Sequence, residues 1–350
     1  MKNRIFALAA LFVLVLNLGA STLADTKANS AKKAQTNQLV SLLPASDAVV
    51  TMDAARFFGE ALPTILSSNQ PILDRVTAKI DEIKSKTGVD FRQFEYVAAG
   101  LKFRSTAPKK VDVDPIVLAR GQINAGALIG AAKLAANGKY REEQFGDRTI
   151  YIFEAKEIAR QHKPQITGQT APSVADKVIN RLSNEIAVTV YDQNTLAFGT
   201  LPQVRQVLEG KSKIGTDLTG FLNRREVSVL NFAAKMPKGM RAFLPLDNDE
   251  LGKTLDSIRY IYGNMDVAAG SASVHMTAQT VQNTQANALL ETLEGLQMVG
   301  KAFLGGAKGA DKQVYGRMIE NAKFSVKANE VMFDLQIPQS DIDILVGALK

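Results

Sequence analysis

Residues 270–279 read Gly270-Ser271-Ala272-Ser273-Val274-His275-Met276-Thr277-Ala278-Gln279, and this stretch decides the fold class. Ala272, Val274, Met276 and Ala278 alternate with Ser271, Ser273, His275, Thr277 and Gln279. Successive strand side chains point to opposite faces, so a period of two predicts a strand with one dry face and one wet one. A single wet face is characteristic of antiparallel sheets, whereas strands of a buried parallel sheet read as unbroken apolar runs.

Working outward, the same grammar gives strand candidates at 48–52, 94–103, 115–121, 227–233, 258–265 and 268–278, and a hairpin over 140–145 and 149–153 turning at Gly146-Asp147. Helical spacing joins Phe57, Phe58, Leu62, Ile65 and Leu66. It also joins Ile72, Leu73, Val76, Ile80 and Ile83, with Gly88 as the stop. Further helices are predicted over 124–136 and 281–303. The expected fold is α+β, with largely antiparallel sheets and helices on one face.

The order of elements recurs. Residues 186–199 form two strands leading into Leu201-Pro202-Gln203, and residues 324–336 form two strands leading into Ile337-Pro338-Gln339. At a constant offset Val188 falls on Phe324, Thr189 on Ser325, Val190 on Val326 and Leu196 on Met332. This pattern predicts an internal duplication with related halves over 39–224 and 225–350.

The chain begins with a basic Met1-Lys2-Asn3-Arg4, then an uncharged apolar run over 5–16 and small residues up to Ala24. That is the form of a signal peptide over 1–24, too short to span a bilayer. The expected location is therefore outside the cytoplasm, periplasmic or secreted, with no transmembrane span after cleavage. Residues 25–38 are polar without apolar periodicity and read as a disordered tether. The net charge of +7 falls to +5 once Lys2 and Arg4 are removed, a mild excess.

Three features, the leading Leu43-Pro44-Ala45 strand, the Lys86-Thr87-Gly88-Val89-Asp90 helix end before Tyr96-Val97-Ala98-Ala99-Gly100, and the strand pair entering Leu201-Pro202-Gln203, resemble a group of exported bacterial proteins known only as a domain of unknown function. The resemblance covers most of the mature chain. It implies a duplicated strand-and-helix architecture in the cell envelope and carries over no catalytic residue.

Chemistry is scarce in the sequence. Cysteine is absent, which removes disulfides, thiol catalysis and a lipid attachment site, and only His162 and His275 supply imidazole. His162 sits in a basic linker. Gly210-Lys211-Ser212 lacks the earlier glycine and the strand-to-helix setting of a phosphate loop. Asp247, Asp249 and Glu250 fit helix capping better than a calcium loop, and Asp112 and Asp114 read as the end of a loop before a strand. Gly126 and Gly130 read as close packing of a small-residue helix on a sheet. No serine occupies a nucleophile elbow, and basic residues are not interleaved with aromatics as a nucleic-acid platform requires.

No catalytic residue, metal site or cofactor is therefore assigned. The functional reading is an exported, non-enzymatic envelope protein that binds a protein partner or an envelope ligand, with no nucleic acid. Its candidate binding residues are Ser271, Ser273, His275, Thr277 and Lys327, on the wet face of neighbouring strands. Two alternatives stand beside it. One is a periplasmic carrier with Phe57, Phe58, Tyr260, Tyr262 and Phe303 around an apolar ligand, and the other is a hydrolase assembled from distant carboxylates.

Overall fold

The computed structural model describes residues 26–107, 110–154, 185–224, 228–237, 249–268, 270–304, 306 and 309–348. The expected signal peptide over 1–24, His162, Asp247 and residues 349–350 lie outside the described residues. Within them the strands are β1 (Ala48–Asp53), β2 (Phe94–Ala107), β3 (Lys110–Gly121), β4 (Tyr140–Phe145), β5 (Arg148–Phe153) and β6 (Ile186–Asp192). They continue with β7 (Thr195–Gly199), β8 (Leu230–Lys235), β9 (Ile258–Ala268), β10 (Ser271–Thr280), β11 (Lys323–Lys327) and β12 (Glu330–Pro338). The helices are α1 (Thr26–Ser41), α2 (residues 54–65), α3 (Gln70–Thr87), α4 (Ala125–Ala135), α5 (Leu201–Glu209) and α6 (Thr216–Leu222). After these come α7 (Asp249–Asp256), α8 (Asn283–Leu304), α9 (Ala310–Asn321) and α10 (Gln339–Gly347).

All twelve strands join one antiparallel sheet in the order β11-β12-β10-β9-β8-β1-β2-β3-β7-β6-β5-β4. Two runs within it have the same order. β1-β2-β3-β7-β6 on one side is matched by β8-β9-β10-β12-β11 on the other, and β1 pairs with β8 at the joint. Among the described residues only the first run is extended, by the β4–β5 hairpin.

The register corrects one pairing expected from sequence. Val190 lies opposite Leu196 in β6–β7, and Val326 lies opposite Val331 in β11–β12. With Val190 matched to Val326, Leu196 therefore falls on Val331 and not on Met332. The β6–β7 ladder shifts between Val190 and Asp192, and one extra residue there moves everything after it to the other face.

Among the described residues, helices cover both faces of the first run and the back face of the second, and reach the front face of the second only over β8 and β9. The front face of the first run, with Val49, Ala98, Ile116, Leu118 and Ile152, lies under α1, α5 and α6 through Leu39, Leu43, Val204, Val207 and Leu218. The back face there meets α4 through Leu128 and Ile129. On the second run the back face, with Phe232, Met265, Val274, Leu335 and Ile337, meets α2 and α10 through Ile65, Ile342 and Val346, and α8 adds Ala286 and Leu289. The helices after the two matched hairpins thus take opposite sides. α10 begins three residues later in register than α5, an odd number, so its chain leaves toward the opposite face.

Three local expectations change. Residues 26–41 form α1 where a tether was expected up to residue 38, because Lys, Ala and Gln fill 8 of its 16 positions and favour a helix, and Leu39, Val40 and Leu43 bury its C-terminal end. Asp112 and Asp114 lie inside β3, opposite Arg104 and Lys102, rather than in a loop. Gly126 and Gly130 sit on the exposed side of α4, and a Cβ at Gly130 would meet nothing within 4 Å, so neither serves close packing on the sheet.

Candidate interaction surface

The surface that the described residues leave most open is the front face of β9, β10, β12 and β11. Asp217 and Phe221 of α6 and Arg224 just after it reach onto it at Tyr260 and Tyr262, and Arg56 of α2 pairs with Asp266 at 2.9 Å. Polar residues lie side by side across it because the alternation of five strands is in phase. Asn231, Asn264, His275, Asp334 and Lys323 make one row across β8, β9, β10, β12 and β11, and Asp266, Ser273 and Gln336 make the next. The intervening Ala272 and Val274 are buried on the back face.

The expected binding residues are thus mostly on one surface, with one correction. Ser271, Ser273 and His275 are partly exposed and Lys327 is exposed, whereas Thr277 is only 4% exposed. Tyr262 and Met332 stand opposite Thr277 on either side, and these longer side chains cover it. Thr277 is part of the packing and presents nothing to a partner.

His275 Nδ1 contacts Asp334 Oδ1 across the β10–β12 ladder. Ser273 lies two residues from His275 on the same face, but its hydroxyl donates to the Asp266 carbonyl at 3.4 Å. The His–Asp pair therefore supplies no primed nucleophile here, on a face open to water. Deeper in the row Asn264 is buried. Its amide nitrogen donates to Ser228 Oγ at 2.5 Å, and its carbonyl oxygen has no partner among the described residues. At the head of the row, under α1, a crevice of about 30 Å³ is lined by Lys33, Asn37, Thr51, Ser228 and Asn231. That volume holds a water or two, not an organic ligand.

One edge of the surface carries a cluster that sequence reading missed. Arg224 donates to Tyr262 Oη and to Glu330 Oε1, each at 2.6 Å, and Gln279 donates to the same carboxylate at 3.0 Å. Phe221 stacks on Tyr262 with ring centroids 4.4 Å apart, and Tyr260 donates to Asp217 at 2.8 Å. Burial pushes the Glu330 carboxyl up, but the hydrogen bonds and charge of Arg224 together with the hydrogen bonds of Tyr262 and Gln279 outweigh it and hold the group below the ordinary range. Burial pushes the Tyr262 phenol up, and the neighbouring Glu330 charge adds to it. No sequence signal joined Arg224 to Glu330, which are 106 positions apart and meet only through the sheet.

The lowered Glu330 value fixes a pH dependence. Its contribution is fully present above the ordinary carboxylate range and is lost as pH falls through the lowered value. Glu330→Gln is expected to cost about 1 kcal/mol at pH 7, a modest figure because Arg224 is nearly half exposed. Urea unfolding at pH 7 and pH 3 checks this, and the gap between variant and parent should narrow at the lower pH. A gap that stays constant would show that Arg224 does not depend on the Glu330 charge.

The five aromatics expected around an apolar ligand do not converge. Phe57 and Phe58 pack on the back face, Tyr260 and Tyr262 lie on the front, and Phe303 is 85% exposed on α8. An open depression of about 660 Å³ lies between the start of α4 and the β6–β7 turn, lined by Ile123, Asn124, Val190 and Asp192, and it includes none of the five. Gly210 ends α5 in a left-handed conformation at φ 65°, so Gly210-Lys211-Ser212 is a helix stop. The described residues hold no group of three or more His, Cys, Asp or Glu placed to bind a metal ion, and no helix among them is long and apolar enough to cross a membrane.

No family model and no curated protein matches the chain. Among solved structures, crystal forms I, III and IV of TP0453 are similar to it. Form I is 10% identical with a TM-score of 0.44, over 89% of this chain and 97% of that one. Form III is 9% identical with a TM-score of 0.44, over 88% and 97%. Form IV is 10% identical with a TM-score of 0.43, over 91% and 99%.

Proposed function

We propose that this chain is an exported, non-enzymatic envelope protein that binds a protein partner through the front face of β9, β10, β12 and β11, and that its two matched strand runs arose by duplication. The observation that carries the reading is the unequal coverage of the two runs. The first has helices on both faces, while the second keeps a polar face with Ser273, His275, Asp334 and Gln336 in water. A flat polar sheet face suits recognition of another surface better than enclosure of a small molecule.

Site-specific photo-crosslinking tests it. A photoreactive residue at Ser273, installed in the full chain in its native envelope, is expected to capture one dominant partner, whereas the same residue at Leu134, which is 83% exposed on α4, should not. The variant Ser273→Ala with His275→Ala should lower its unfolding midpoint only slightly, since both side chains are partly exposed and water can replace their hydrogen bonds, and should lower the yield of the cross-link from Gln336. Equal capture from Ser273 and Leu134 would remove the basis for assigning this face a role.

A further inference from the structure

The two matched runs of the sheet end differently. β6 and β11 hold the same place in β1-β2-β3-β7-β6 and β8-β9-β10-β12-β11. β6 accepts β5 on its outer edge, with Tyr151 opposite Val188, Ile152 opposite Ala187 and Phe153 opposite Ile186. No described strand lies on the outer edge of β11.

The backbone of β11 is set for the same use. Lys327 and Glu330 flank a two-residue turn. The pair flanking such a turn exchanges both backbone hydrogen bonds, so the alternation of the ladder turns the N–H and C=O groups of Phe324 and Val326 outward. Val188, which lines up with Phe324, is the β6 residue that faces Tyr151. β11 therefore offers, without a described occupant, the docking register that β6 fills.

Side chains decide what could fill it. Lys323, Ser325 and Lys327 are exposed on the front, while Phe324 packs against Phe333 at 5.4 Å and Val326 against the α8 cluster on the back. A second copy pairing antiparallel through β11, centred on Ser325, would place Lys323 opposite Lys327 twice. Like charges directly opposite destabilise a ladder, and lysines on an edge are a common guard against self-pairing. The acids beside these lysines are already engaged, Asp334 by His275 and Glu330 by Arg224. The guard against self thus selects for a strand of opposite charge.

We propose that the outer edge of β11 is a strand-addition site for an extended segment of a partner protein, with acidic residues opposite Lys323 and Lys327 and apolar residues between them beside Phe324 and Val326. Main-chain hydrogen bonds to Phe324 and Val326 hold the segment and the two lysines select its charge. The inference rests on the partner-binding reading above and gives that partner a chemistry.

A fluorescein-labelled octapeptide of alternating valine and glutamate tests it against an octapeptide of alternating valine and lysine, by anisotropy on the purified full chain. The glutamate peptide is expected to bind about fivefold more tightly, the size that two exposed ion pairs support. In the double variant Lys323→Glu, Lys327→Glu the preference should reverse by a similar factor, which a misfolded chain could not do. Binding of neither peptide, or equal binding of both, would overturn the proposal. So would concentration-dependent self-association of the parent chain that the charge reversal abolishes, since the edge would then belong to a second copy. Failed cross-linking from Ser273 with charge-selective peptide binding intact would fail the face reading and support the edge.

Discussion

Gly263→Ala is expected to lower the unfolding free energy by about 3 kcal/mol, at the upper end of what overpacking costs. A Cβ at this position would lie 2.1 Å from the His275 carbonyl oxygen and 2.9 Å from Cζ of Phe232. The first of these is backbone of the neighbouring strand and has nowhere to go without opening the β9–β10 ladder. Because His275 sits on that ladder, the variant should also displace the front-face row. Gly295→Ala is the control, since a Cβ there meets nothing within 4 Å on the exposed side of α8. It should gain about 0.5–1 kcal/mol from helix propensity and reduced chain entropy. Urea unfolding of both measures the contrast, and a Gly263→Ala cost under about 0.5 kcal/mol would mean that β9 and β10 are not packed this closely.

The second large effect belongs to α1. Leu39 and Leu43 are fully buried against Val49, Leu118 and the helices of the front face. Leu39→Ala and Leu43→Ala should each cost about 3 kcal/mol, the usual range for a buried leucine whose cavity cannot close. The two sites share neighbours and will not add cleanly, but about 5 kcal/mol for the pair is comparable with the whole stability of an ordinary domain. A urea midpoint nearly unchanged by Leu39→Ala would show that the C-terminal end of α1 is not packed on the front face.

These two cases mark where sequence reading stops. The hairpin at β4 and β5, the helices α4 and α8 and the alternation of β10 were legible because each announces itself within a dozen residues, by period or by turn chemistry. α1 was not, because its apolar contacts cluster in its last turn and just beyond, and the rest is polar. The joining of both runs into one sheet was also hidden, since nothing in β1 names β8 as its neighbour. At the surface, the side to which Ser273 and His275 point followed from the period of two. The burial of Thr277 did not, because it depends on Tyr262 and Met332 arriving from two other strands. The direction α10 takes rests on a three-residue difference in register, which only the paired strands reveal.

The β1–β8 pairing has a consequence for how the chain comes into being. Residues 48–52 find their second neighbour in residues 230–234, roughly 180 positions later. At ordinary synthesis rates that delay is on the order of ten seconds, during which β2 can already have paired with β1 while Val49 and Val50 still present an open flank. Contacts of such long separation also form slowly once both partners exist, because the intervening chain must give up its freedom first. The nascent protein therefore passes through a sticky interval, and whatever keeps it extended over that interval sets how much of it survives to close the sheet.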